Sequence, residues 1–210
     1  MIVVGISGAS GPILGIRLIE ELLKMKEAVT CIVSSSARAI ITHETGHPMT
    51  GPEAFKDLLS ARKRIKDVSH LTLVSDNDFF SGPASGSTPM EAAVIMPCSM
   101  KTLSAVASGY ADSMIVRVCD VALKEKRKLI LVPRETPLNL IHLNNMTQAM
   151  QAGAHIVPPV MGFYTHPRTV DDMIDFIVGK VLNLLGKNHT LFKSWEELSP
   201  GGPQAPGTMC

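Results

Sequence analysis

Short apolar runs rich in β-branched residues recur along this chain, and between them Leu, Ile, Val and Ala return at helical spacing. Residues 1–4, 29–33, 71–74, 93–97, 129–132 and 156–159 have the length and composition of strands. Residues 13–25, 37–45, 52–60, 101–108, 112–126, 138–152 and 170–185 read as helices. Pro12 suits a first helical turn, where its missing N–H costs nothing. The 129–132 run is apolar throughout, as a strand covered on both faces requires. This alternation predicts a single α/β domain over residues 1–198, with a Rossmann-like, doubly wound parallel sheet between helical layers. A Gly/Pro-rich tail, 199–210, is expected to be flexible.

The segment 76–89 carries Gly82, Pro83, Gly86 and Pro89 among several serines and reads as a loop. Loops of that length inside a compact domain usually have a function. Hydrophobic residues make up 45% of the chain and the mean hydropathy is +0.20. No apolar run approaches the ~18 residues of a spanning helix. An apolar excess without such a segment predicts surface buried between subunits, hence a homo-oligomer. Twenty basic against nineteen acidic residues leave a formal charge of +1, which gives no reason to expect nucleic acid or a membrane as partner. Cys31, Cys98, Cys119 and Cys210 show neither CxxC pairing nor metal spacing. With a strand-like start in place of a signal segment, a cytoplasmic location is expected.

Candidate chemistry lies in the turns after the strands, where open α/β sheets bind ligands. Gly5-Ile6-Ser7-Gly8-Ala9-Ser10-Gly11 follows the first strand and can bring backbone N–H groups and the Ser7 and Ser10 hydroxyls up to a phosphate. A tight turn chosen only for packing is the alternative. A dinucleotide site is disfavoured, because the glycines are spaced GxxGxxG and the second strand ends in Ser34–Ser36, with no carboxylate for a ribose. Pro97-Cys98-Ser99-Met100-Lys101-Thr102 and Pro133-Arg134-Glu135-Thr136-Pro137 are further polar turns. Ser99 and Thr102 would also serve as plain helix caps. Three such turns converging on one crevice predict a site for a phosphate-bearing small molecule.

The stretches GISGASG at 5–11, ASGS at 84–87, PCSMKTLSAVASGYADSMIVRVCDVALKEKRKLILVPRETPL at 97–138 and PPVMGFY at 158–164 resemble the UbiX/Pad-type flavin prenyltransferases. These belong to a broader superfamily of flavin-binding, phosphopantothenoylcysteine-decarboxylase-like proteins. The resemblance runs through most of the chain. It implies a three-layer flavoprotein that binds FMN and assembles as a homododecamer with sites between subunits. It also implies metal-independent transfer of dimethylallyl from dimethylallyl monophosphate to reduced FMN. In the family reaction a bond forms from the prenyl C1 to flavin N5, and a ring then closes from C3 onto flavin C6. The product, prenylated FMN, serves a separate UbiD-type decarboxylase.

Carried over position by position, the resemblance assigns Gly8, Ala9, Ser10, Ser34, Ser99, Met100, Lys101, Thr102 and Arg134 to the flavin. It sets Lys124, Arg134, Tyr164 and Lys180 around the substrate phosphate, with Arg117 in the same charged cluster and Ser85, Gly86 and Trp195 at the prenyl substrate. Ser10 and Glu44 match active-site positions near flavin and phosphate. Glu135 is the expected acid–base residue, oriented between Arg134 and Thr136 to receive the proton lost from C6, a task the released phosphate could share.

Structural roles stand beside these. Lys124 in LKEKRK suits a solvated helix end, Arg117 and Asp120 are spaced for an ion pair, and Arg134 and Glu135 could pair to hold their turn. Tyr164 could cover the core, and Trp195 could pin the C-terminal helix instead of covering a prenyl pocket. Lys180 stands where the family commonly has Arg; it lacks the bidentate fork and leaves the choice between mono- and diphosphate open. Segment 71–80 follows the family pattern only loosely. Two rival functions remain, a flavin-dependent cysteine decarboxylase and a non-catalytic flavin-binding protein. The first needs an active-site His, for which His70 and His142 are available, and a substrate clamp for which no motif is found.

Overall fold

The computed structural model describes residues 1–51 and 53–195, so the expected 199–210 tail lies outside the described residues. The chain divides into two compact units, Met1–Pro159 and Val160–Cys210.

The first unit holds the sheet. Its strands are β1 (Ile2–Ile6), β2 (Val29–Val33), β3 (Leu71–Ser75), β4 (Ala92–Cys98), β5 (Lys128–Pro133) and β6 (His155–Ile156). All pair in parallel, in the order β3-β2-β1-β4-β5-β6. Every residue of β1, β2 and β4 is buried, the burial expected of central parallel strands covered on both faces. The helices are α1 (Ile13–Lys24), α2 (Ser35–Thr45), α3 (Ala54–Arg62), α4 (Met100–Ser108), α5 (Met114–Lys124) and α6 (Leu140–Gln151). Right-handed crossovers that run outward from β1 to β3, and then from β4 to β6, put α1–α3 on one face of the sheet and α4–α6 on the other. The doubly wound α/β fold is as the sequence predicts.

Differences in the element ends have local causes. The last strand stops at Ile156, where residues 156–159 were expected, because Pro158 and Pro159 have no N–H to donate to a ladder. α6 begins at Leu140 because Asn139 caps it, its side chain accepting the His142 N–H at 2.9 Å. α5 begins at Met114, after the Ser113 cap.

The apolar core on the α4–α6 side joins Ile95, Leu129 and Leu131 of the sheet to Leu103, Ile115, Val118, Cys119 and Ala149. On the other face α1 is buried along most of its length, and it carries charge inward. Glu20 is fully buried and accepts from Arg62 Nε at 2.5 Å, while Arg17 pairs with Glu21. A buried carboxylate is tolerated only with such partners.

The second unit holds α7 (Val170–Leu185), which begins and ends where the sequence predicts. Thr169 and Asp172 form a reciprocal capping box at its start. Two backbone N–H bonds, from Arg168 and Thr169, hold the Asp172 carboxyl below the usual carboxylate range.

Candidate functional site

The winding of the sheet reverses between β1 and β4, and a pocket of about 330 Å³ opens outside the strand ends there. Ser7 fixes the two turns that flank this point. It is buried, its Oγ donates to the Pro97 carbonyl at 2.9 Å, and the same Oγ accepts the Ser99 N–H at 2.8 Å. The Ser7 hydroxyl is therefore spent inside the fold, which corrects the expectation that it serves a ligand.

Three helices begin at the pocket. At α2 the Ser34 side chain accepts the Ala37 N–H at 3.1 Å, and at α4 the Ser99 side chain accepts the Thr102 N–H at 3.2 Å. Helix geometry leaves the first-turn N–H groups without helical partners. Those of Ser35, Ser36, Met100 and Lys101 belong to pocket-lining residues, next to the Ser34, Ser99 and Thr102 hydroxyls. The start of α5 differs. The Asp76 carbonyl accepts the Met114 N–H at 2.8 Å, the Asp76 carboxylate accepts the Ile115 N–H at 3.0 Å, and Ser113 takes the Val116 N–H. Asp76 thus closes one helix terminus while α2 and α4 keep donors for an anion. Desolvation in this half-buried place raises the Asp76 carboxyl above its ordinary value, against the lowering effect of the Ile115 bond.

After β5, Arg134 and Glu135 also line the pocket; Arg134 Nε donates to the Ser10 carbonyl at 3.0 Å, and Glu135 Oε1 accepts the Thr136 N–H at 3.1 Å. These bonds hold the turn, in place of a pair between the two side chains. Glu44 accepts the Gly11 N–H at 3.1 Å, from outside the pocket lining. Gly11 has φ +87°, a conformation that side chains disfavour. Cys98 ends β4 close by, and burial pushes its thiol up to about 12.

The pocket brings together Gly8, Ala9, Ser34, Ser99, Met100, Lys101, Thr102, Arg134 and Glu135, with Ser10 and Glu44 bonded to its rim. Ser85, Gly86, Arg117 and Lys124 form a different cluster. There Arg117 pairs with Asp120 at 2.7 Å, as the spacing suggests, and its Nε donates to the Ala84 carbonyl. Tyr164, Lys180 and Trp195 meet in the second unit. The Tyr164 ring stands edge-on to Phe176 at 5.7 Å and to Trp195 at 5.2 Å, and Lys180 Nζ lies 5.5 Å from the Phe176 ring centre. Asp76, Asp112, Ser113, Ser35 and Ser36 also line the pocket and are missing from the expected set. Asp76 is the first residue after β3, so its place at a strand's carboxyl end was the available signal.

This donor set fits FMN. Free amide N–H groups and hydroxyls are available for a phosphate, and a cation and a carboxylate line the same pocket. Among the described residues no group of His, Cys, Asp and Glu is arranged to hold a metal ion.

Comparison with known proteins places the chain. The flavoprotein family profile matches residues 1–182. The flavin prenyltransferase UbiX of Methanocaldococcus jannaschii is 47% identical over 194 residues, which are 92% of this chain and 97% of the relative. The crystal structure of AnUbiX (PadA1) in complex with FMN and dimethylallyl pyrophosphate superposes with a TM-score of 0.81 at 37% identity, covering 92% of this chain and 96% of that one. A dodecameric FMN-dependent UbiX-like decarboxylase from Escherichia coli O157:H7 gives a TM-score of 0.78 at 37% identity, covering 90% and 96% of the two chains. The chain belongs to the flavoprotein family and, within it, to the UbiX flavin prenyltransferases.

Proposed function

We propose that this protein transfers a dimethylallyl group from dimethylallyl monophosphate to reduced FMN, yielding prenylated FMN for a UbiD-type decarboxylase. The observation that carries the reading is the pocket at the β1–β4 reversal. Two helix starts keep free donors there, and Arg134 and Glu135 line the same pocket. The names of the relatives and the FMN and dimethylallyl pyrophosphate bound to AnUbiX support the same chemistry and disfavour a cysteine decarboxylase or an inert flavin carrier.

When bound, reduced FMN supplies the nucleophilic N5 and C6 positions to which the prenyl group is joined. The residues of this chain do the rest. The N–H groups at the starts of α2 and α4, with Ser34, Ser99 and Thr102, hold the nucleotide phosphate. Gly8, Ala9, Ser10 and Arg134 line the flavin's place. Lys124, Arg117 and Lys180 neutralise the departing phosphate and the Tyr164 hydroxyl donates to it, and preorganised donors and cations in a site shielded from water do this most effectively. Trp195, Ser85 and Gly86 border the prenyl substrate. Glu44 and Ser10 support the rim, and Glu135 accepts the proton leaving C6.

Assembly and location complete the proposal. The exposed apolar side chains of Leu140, Ile141 and Met150 on α6 support a homo-oligomer, for which the dodecameric E. coli neighbour is the precedent. No helix among the described residues is long and apolar enough to cross a membrane; action in the cytoplasm is part of the proposal.

The test is anaerobic incubation with reduced FMN and dimethylallyl monophosphate, followed by mass spectrometry of the flavin. A prenyl mass increment is expected. An unchanged flavin, with or without decarboxylation of a cysteine peptide, would remove the assignment. Glu135→Gln should retain FMN yet form product about 10²–10⁴-fold more slowly, the usual worth of a general acid–base group.

A further inference from the structure

We infer that Glu125 is a positioning residue for Lys124, and that the backbone of Gly86 is the seat on which this pair rests. The inference builds on the reading above that Lys124 meets the substrate phosphate.

Adjacent residues on a helix normally point apart. Here α5 ends at Lys124, and Glu125 is the half-helical residue that follows, with φ −90° and ψ 5°. Lys126 then turns left-handed at φ 54°, its N–H donates to the Leu123 carbonyl at 3.1 Å, and the Arg127 N–H donates to the Ala122 carbonyl at 2.8 Å. This paired closure fixes the chain's exit from the helix. It brings Lys124 Nζ within 2.6 Å of Glu125 Oε1.

The pair lies directly on the 84–88 loop. A methyl group added at Gly86 would overlap Glu125 Oε1 and stand 2.8 Å from both Glu125 Cδ and Lys124 Nζ. That loop is itself held by main-chain contacts. Arg127 donates to the Thr88 carbonyl at 2.7 Å and to the Gly86 carbonyl at 2.6 Å, and Arg117 donates to the Ala84 carbonyl at 3.0 Å. Ser85 and Ser87 join hydroxyls at 2.8 Å across the same turn. The seat is therefore built from fixed backbone, and the ammonium position follows from it.

Charge makes the role of Glu125 decidable. A carboxylate beside a phosphate-binding ammonium weakens the attraction for phosphate. If Glu125 acted only through its charge, removing that charge would tighten substrate binding. If it positions the ammonium, removing the bond leaves a flexible lysine and weakens binding. The two roles predict opposite signs.

The experiment uses the full chain reconstituted with reduced FMN under anaerobic conditions. Wild type, Glu125→Ala, Glu125→Asp, Lys124→Ala and the double variant Lys124→Ala/Glu125→Ala are compared. FMN affinity is read by flavin fluorescence, and KM and kcat for dimethylallyl monophosphate are read from the prenyl mass increment. Both Glu125 variants should raise KM about tenfold, a modest share of what misplacing a reacting group costs. FMN affinity should be unchanged, and Glu125→Ala should add no further loss once Lys124 is gone. Gly86→Ala should reproduce the raised KM. A Glu125→Ala protein with unchanged or lowered KM, or a loss that adds to that of Lys124→Ala, would overturn the inference while leaving Lys124 in the site. Wild-type turnover by Lys124→Ala would overturn it together with the assignment of Lys124.

Discussion

The peptide group between Ser10 and Gly11 is gripped at both ends. Arg134 donates to its oxygen and Glu44 accepts from its nitrogen, so a cation from the end of β5 and an anion from α2 set the plane of a single amide. Glu44 thereby shapes the rim from a position that the pocket lining does not include. Asp76 acts in a similar indirect way. Its carboxyl is raised chiefly by desolvation, so the folded state favours the protonated form more than the unfolded chain does. The stability linked to this group is therefore fully present below the ordinary carboxylate value and is lost as pH rises through the raised folded value. Asp76→Asn keeps an acceptor for the Ile115 N–H and carries no charge. It should melt at a higher temperature than wild type at neutral pH, with the gap closing on acidification. Melting curves across pH check this, and a gap that widens in acid would refute it.

Helix ends decide both the site and part of the stability. α1 closes as α5 does. Lys26 sits at φ 60°, its N–H bonds to the Leu23 carbonyl at 3.0 Å, and Glu27 N–H bonds to Leu22 at 3.0 Å. A side chain in that left-handed conformation costs about 1–2 kcal/mol that glycine avoids. Lys26→Gly should raise unfolding stability by roughly 1 kcal/mol in denaturant titration. Much of this level was legible in the sequence. The period of the apolar residues located α7 to the residue and Ser99 was legible as a cap for α4, whereas α2 begins at Ser35, two residues before the expected start at 37, because Ser34 caps it. Asp76 was not legible as a cap for α5, because the bond spans distant segments and no local pattern records it. Ser7 was misjudged for a related reason. A serine in a glycine-rich turn looks the same whether its hydroxyl faces a ligand or a neighbouring strand, and only the approach of Pro97 decides. The Lys124–Glu125 contact was likewise hidden, since it depends on a left-handed lysine two residues beyond the helix.

At the scale of the molecule, α5 joins two chemistries at its two ends. Ile115 and Val116 line the flavin pocket, whereas Lys124 lies nine residues further on, roughly 14 Å along the axis. Its ammonium is tied down at that far end by Glu125 and Gly86. A rigid rod of this kind keeps its own lysine away from its own pocket, so the phosphate role proposed for Lys124 requires that it complete a neighbouring chain's pocket. Two crippled genes expressed together should then rescue one another. Hybrid particles of Lys124→Ala and Glu135→Gln chains would contain some sites with both residues intact, and their turnover should exceed that of either parent.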